Sequence, residues 1–165
     1  MQTFRESFFL QLAAIVALLG VLVGADYVIY GANAARGHQT VISEFQRIRP
    51  LSSAVIQYRT DNYRPPWRNH QGTFGAYYSA ADADSVIRQH YDKELRSQGW
   101  RLVADEPVKS WGKASGEQLF YCKQSLYAGL YFRGAEFERQ KPSTSEYEFF
   151  VAWGSRPNEL KGKCD

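Results

Sequence analysis

Residues 81–100 read ADADSVIRQHYDKELRSQGW. Ile87, Tyr91 and Leu95 recur every fourth residue with Val86 beside them, which is the spacing of one helix face. Asp82 or Asp84 is placed to cap the first turn, and Gly99 to end the last. Acidic residues open the stretch and Arg96 closes it, as the helix dipole favours. Asp84 with Arg88 and Asp92 with Arg96 are acid-first pairs four apart. The expected element is a helix over about 82–98 whose narrow apolar stripe must be buried against something else.

The flanking sequence supplies that surface. On the N-terminal side, residues 72–80 (GTFGAYYSA) alternate, with Phe74, Ala76 and Tyr78 on one face. On the C-terminal side, residues 100–103, 119–123 and 127–133 read as strands, the last with Ala128, Leu130 and Phe132 on one face and Tyr127, Gly129 and Tyr131 on the other. Residues 146–153 are the clearest: Tyr147, Phe149, Val151 and Trp153 form the core-facing set, opposite Glu146, Glu148, Phe150 and Ala152. Gly154 and Pro157 end that strand. Residues 55–58 could form a further extended segment. A loop is expected from Asp61-Asn62 to Pro65-Pro66, and another around Trp111-Gly112 through Gly116. This order, with strands joined by turns, predicts an α+β domain in which an antiparallel sheet of about 4–6 strands carries the helices on one face.

A second, shorter helix is expected at about 40–48, where Val41, Ile42, Phe45 and Ile48 fall at helical spacing, Gln39-Thr40 can start it and Pro50 stops it. Ahead of it, residues 8–25 read FFLQLAAIVALLGVLVGA, interrupted only by Gln11. At about 1.5 Å per residue this nearly crosses a hydrocarbon core of about 30 Å, which makes it a candidate transmembrane helix. Tyr27 and Tyr30 would sit at headgroup level. Ala32-Asn33-Ala34 also has the small-x-small pattern of a cleavage site, so an uncleaved anchor and a cleaved signal are both compatible with the run. The domain division that follows is a hydrophobic anchor at 1–30, a soluble α+β domain at 31–157 and a polar tail at 158–165.

The net charge of +3 is unevenly spread. Residues 31–70 hold six arginines (Arg36, Arg47, Arg49, Arg59, Arg64, Arg68) against Glu44 and Asp61, whereas from residue 71 onward thirteen basic residues balance thirteen acidic ones. Arginine therefore concentrates near the anchor. The two cysteines, Cys122 and Cys164, have no metal-ligand spacing. They fit a disulfide in an oxidising compartment, or equally a buried small hydrophobe and a free tail thiol. The charge rule for orientation is close to a tie between Arg5 and Arg36, and the cysteines tip the expectation to a domain in the periplasm or outside the cell, tethered at the inner membrane.

Tyr91-Asp92-Lys93-Glu94-Leu95 followed by Gly99-Trp100, then Trp111-Gly112, and a closing strand ending in Trp153-Gly154 resemble a group of small uncharacterised bacterial proteins. Their pattern is a hydrophobic N-terminal segment followed by a domain carrying a YxxxL/GW helix-to-strand motif. The resemblance spans most of residues 41–154 and implies the same fold. The group has no assigned activity, so no catalytic residue carries over.

Catalytic signatures are missing. His38, His70 and His90 lack metal-site spacing, and no GxSxG, GxGxxG or phosphate-loop motif is present. A Cys122–His90 nucleophile pair would require the two to meet in space, and for Cys122 packing or bridging is the simpler role. Asp82/Asp84, Asp105/Glu106 and Glu136/Glu138 read as helix cap, loop charge and solvated strand face. No cofactor or metal is expected. The segment from Tyr58 to His70 interleaves aromatics with arginine, and Arg59, Tyr63, Arg64, Trp67 and Arg68 are the candidate binding residues, for a protein, glycan or lipid headgroup rather than nucleic acid. The function expected is a non-enzymatic binding or interaction domain at the membrane, its partners the lipid bilayer through residues 8–25 and another protein. The competing expectations are an inhibitor or immunity-type protein directed at a secreted toxin, a structural subunit of a membrane complex and, less favoured, an enzyme with a site assembled from scattered residues.

Overall fold

The computed structural model describes residues 2–64, 71–110, 113–133, 144–154, 160 and 162–164. Side chains are described from residue 15 on, apart from 26, 27, 30, 64 and 108–115. The chain runs α1 (Gln2–Arg47), β1 (Val55–Arg64), β2 (Gln71–Ala80), α2 (Asp84–Ser97), β3 (Arg101–Ser110), β4 (Lys113–Lys123), β5 (Leu126–Arg133) and β6 (Ser145–Gly154). The strands form one six-stranded sheet in the order β1-β2-β6-β5-β4-β3. Every neighbouring pair is antiparallel. This is the α+β architecture that the alternation predicts.

Both helices lie on one face. Val41, Phe45 and Ile48 of α1, and Ile87, Tyr91 and Leu95 of α2, share a core with Tyr78, Leu119, Tyr121, Ala128, Leu130, Tyr147, Phe149 and Val151. Tyr91 is fully buried, its ring 4.7 Å from that of Phe149 and its hydroxyl 3.5 Å from that of Tyr147. Gly99 ends α2 with φ +85°, a left-handed value that suits glycine. Gln98 and Trp100 both donate backbone N–H groups to the Leu95 carbonyl, so the buried Trp100 starts β3 directly below the helix end.

Several expectations are corrected. No helix begins at residue 40: the expected 40–48 element is the C-terminal end of α1, and Thr40 Oγ1 donates back to the Arg36 carbonyl, 2.9 Å, instead of capping. No proline interrupts residues 26–47, so nothing forces the break. Helix α2 is capped by Ala83 without a side-chain hydrogen bond, because Asp82 instead accepts from Ser53 and ties the α1–β1 connection to the start of α2. Arg88 turns from Asp84 to Asp105 (3.1 Å) and Glu117 (2.5 Å) on the sheet, whereas Asp92 and Arg96 pair at 2.8 Å as expected.

The stretch 61–64, expected as a loop, belongs to β1, held in the ladder with Asp61 opposite Phe74 and Arg64 opposite Gln71. Residues 113–116 likewise extend β4 against β3. In both places cross-strand pairing overrides weak strand propensity. Pro107 is tolerated because β3 is an edge strand. The expected polar tail also differs: Leu160 and Cys164 are buried on the sheet face away from the helices, beside Phe120, Cys122, Tyr127 and Ala152. Cys164 is joined to Cys122 with their Cα atoms 5.5 Å apart, and Arg101 donates to the Lys163 carbonyl at 2.9 Å.

Candidate functional site

Two surfaces stand out. The first is the free part of α1. Ile15, Val16, Leu18, Leu19, Val21, Leu22, Val23, Val28 and Ile29 are each 55–69% exposed. At 100° per residue these side chains project around most of the helix circumference. Among the described residues no helix is long and apolar enough to cross a membrane. Of the run at 8–25, the side chains of residues 8–14 lie outside those described.

Where α1 meets the sheet, the approach is close. A Cβ at Gly37 would come within 2.8 Å of the Trp153 indole, and one at Gly72 within 2.9 Å of His38 Nδ1. His38 Nε2 lies 2.9 Å from Asp61, and its ring centroid is 5.1 Å from that of Tyr63. Of the expected binding residues, Arg59 and Tyr63 therefore sit on the helix-side face of the edge strand β1 and are exposed. The side chain of Arg64, and all of Trp67 and Arg68, lie outside the described residues. His90 and Cys122 are not partners: His90 Nε2 meets the Arg49 carbonyl at 2.8 Å and Cys122 is in the disulfide. His90 lines a recess of about 360 Å³ with Arg49, Lys93 and Glu94, in which Arg49 already pairs with Glu94 at 3.2 Å.

The second surface is the sheet face opposite the helices, which sequence reading left unassigned. The register places Tyr58, Tyr77, Glu148, Tyr131, Gln118 and Glu106 in one row across all six strands. The next row is Thr60, Gly75, Phe150, Gly129, Phe120 and Ala104. Phe150 thus has a glycine on either side. Its ring lies over Gly129, where any side chain would strike it, and Gly75 leaves no room for a Cβ beside its stem. Bare backbone flanking a flat ring makes a shallow trough of about 310 Å³, lined by Gln71, Thr73, Gln118, Phe120, Tyr127, Glu148 and Phe150.

Glu148 is the one acid among the described residues of that lining. Burial pushes its carboxyl above the ordinary value, against the lowering effects of a hydrogen bond from Tyr77 and the charge of Arg133. Burial and the negative charge of Glu148 in turn push the Tyr77 phenol up, and Tyr77 stacks on Tyr58 at 4.3 Å. Arg133 makes its ion pair with Glu146, at 3.5 Å. Glu148 therefore sits half-buried on an aromatic floor with no cation paired to it among the described residues. The signal for this site was the Gly-Phe-Gly row across three strands, which single-strand alternation does not reveal. Among the described residues no group of histidine, cysteine and carboxylate side chains could hold a metal ion.

No protein-family model, curated protein or solved structure matches the chain.

Proposed function

We propose that the protein is a membrane-tethered binding domain, non-enzymatic, with α1 as an uncleaved single-span anchor and the α+β body outside the cytoplasm. The observation that carries this reading is the row of large apolar side chains on α1, exposed on most sides of a helix that then plugs the domain core through Val41, Phe45 and Ile48. Lipid is the occupant that suits a helix apolar around its circumference, since a protein groove would cover one stripe only. The continuity of α1 through residues 32–34, with Ala34 buried, favours retention of the anchor over cleavage at that point. The Cys122–Cys164 bridge favours an oxidising compartment. Arg36, on α1 just after the apolar run, suits anionic headgroups.

Membranes from cells expressing the full chain test the tether. The protein should stay in the pellet after washing at high salt and at alkaline pH. Leu19→Lys, which places a charge in the run at a cost of about 3 kcal/mol, should shift it toward the soluble fraction. Protease added to intact spheroplasts should digest the domain. Release of the native protein by salt, or survival of the domain until the membrane is broken, overturns the tether or the orientation respectively.

A further inference from the structure

We infer that the trough over Phe150 binds a primary alkylammonium group, the ammonium against Glu148 and the attached methylenes over the Phe150 ring. This deepens the reading of the domain as a binding module and names the ligand chemistry of a face to which no role has been given.

The argument is one of charge complementarity. A carboxylate held half-buried on an apolar floor is a cost to the fold unless a cation meets it. Among the described residues the lining contains no lysine, arginine or histidine, and Arg133, whose charge acts on Glu148, makes its ion pair with Glu146. An anion would be repelled, and a neutral ligand would leave the carboxylate with only the charge of Arg133, which is itself ion-paired with Glu146. Between the organic cations, the site suits an ammonium: the Tyr77 hydroxyl beside Glu148 crowds the bidentate fork a guanidinium prefers. An ammonium instead presents three donors from one point. The carboxamide oxygen of Gln118, in the same row as Glu148, can accept from the ammonium, and aromatic faces attract the cation and cover its methylenes. The glycine at 129 keeps the floor open, because any larger residue there would displace the Phe150 ring.

The source of such a group is either a free alkylamine or a lysine side chain of a protein, and the test separates them. Full-length protein in a maltoside detergent, which carries no cation of its own, is titrated with n-butylammonium chloride, n-butanol, and an extended peptide with one central lysine. Saturable binding of butylammonium, absent for butanol, is expected. Glu148→Gln should weaken it by about tenfold or more, since the amide keeps the shape and loses the charge. A peptide binding at least about tenfold tighter than butylammonium assigns the site to a protein lysine, and equal affinities assign it to a free amine. The wild-type titration alone decides the matter if the variant fails to fold. No saturation by either cation, or equal binding of butanol, overturns the proposal, as does a folded Glu148→Gln that binds as the wild type does. None of these outcomes touches the tether, which the membrane wash reports by itself.

Discussion

The indole of Trp153 lies so close to Gly37 that a Cβ built on the helix would come within 2.8 Å of the ring. Helix α1 therefore rests on β6 at a point where only glycine fits, and the contact fixes how the free helix leaves the domain. Gly37→Val should destabilise the protein by about 1–3 kcal/mol, because either the indole or the helix must move. Gly20→Val, where nothing lies within 4 Å, is the control and should leave the domain's stability within about 0.5 kcal/mol. Denaturant unfolding of the full chain in neutral detergent, followed by tryptophan fluorescence, measures both; equal effects would mean that the contact does not hold the helix.

Glu44 is the buried acid of the core, 6% exposed, and it accepts from Lys123 Nζ at 2.6 Å and from Arg47 at 2.7 Å. Lys123 also lies 5.7 Å over the Trp100 ring. This pair links α1 to β4 across the helix-side core. Glu44→Ala should cost about 2–4 kcal/mol, a little less than a fully buried pair because Lys123 keeps some access to water. Glu44→Leu combined with Lys123→Met should recover most of that loss. The double-mutant cycle is the check, and additive effects of the two single changes would deny the coupling.

Much of the fold is legible in the sequence because periodicity survives wherever one face is buried. Tyr147, Phe149, Val151 and Trp153 alternate with polar neighbours, and Ile87, Tyr91 and Leu95 keep helical spacing, so their elements and faces follow directly. What failed were features set by partners distant in sequence. Asp82 was expected as a helix cap and is taken by Ser53; Arg88 was expected to face Asp84 and faces Asp105 and Glu117. The 61–64 segment looks like a loop until β2 pairs with it. Leu160 looks solvated until the Cys122–Cys164 bridge returns it to the sheet. The trough was invisible for the same reason: Gly75, Phe150 and Gly129 become neighbours only through the register of three strands.

The disulfide holds more than two sulfurs. It closes a sequence separation of 42 residues and keeps Leu160, fully buried, on the face that Phe120, Tyr127 and Ala152 form. Chain-entropy reasoning gives about 3–4 kcal/mol for a loop of that size, to which the packing of Leu160 adds. Cys164→Ser should therefore lower stability by about 3–5 kcal/mol. Leu160→Ala with the bridge intact should cost about 2–3 kcal/mol. Thermal unfolding with and without reductant tests both. If reductant leaves the melting temperature of the native protein unchanged, the bridge contributes nothing.

Glu148 connects stability to pH with a definite sign. Its carboxyl titrates above the ordinary value in the fold because burial disfavours the ionised form more than the Tyr77 hydrogen bond and Arg133 favour it. The folded protein thus binds that proton more tightly than the unfolded chain does. Its contribution is most favourable at acid pH and is lost as pH rises through the window between the ordinary and the raised value, so the ionised group is a liability at neutral pH. Glu148→Gln removes the titration while keeping an acceptor for Tyr77. The variant should melt higher than the native protein at pH 7, with the difference shrinking toward pH 4. A residue kept for packing would behave oppositely, losing stability when replaced. A group that weakens the fold at neutral pH and is retained on an open aromatic floor fits a ligand that meets its charge, and added butylammonium should raise the melting temperature of the native protein at pH 7 but not that of the variant. If Glu148→Gln melts lower than the native protein at pH 7, Glu148 serves the fold and the trough loses its argument.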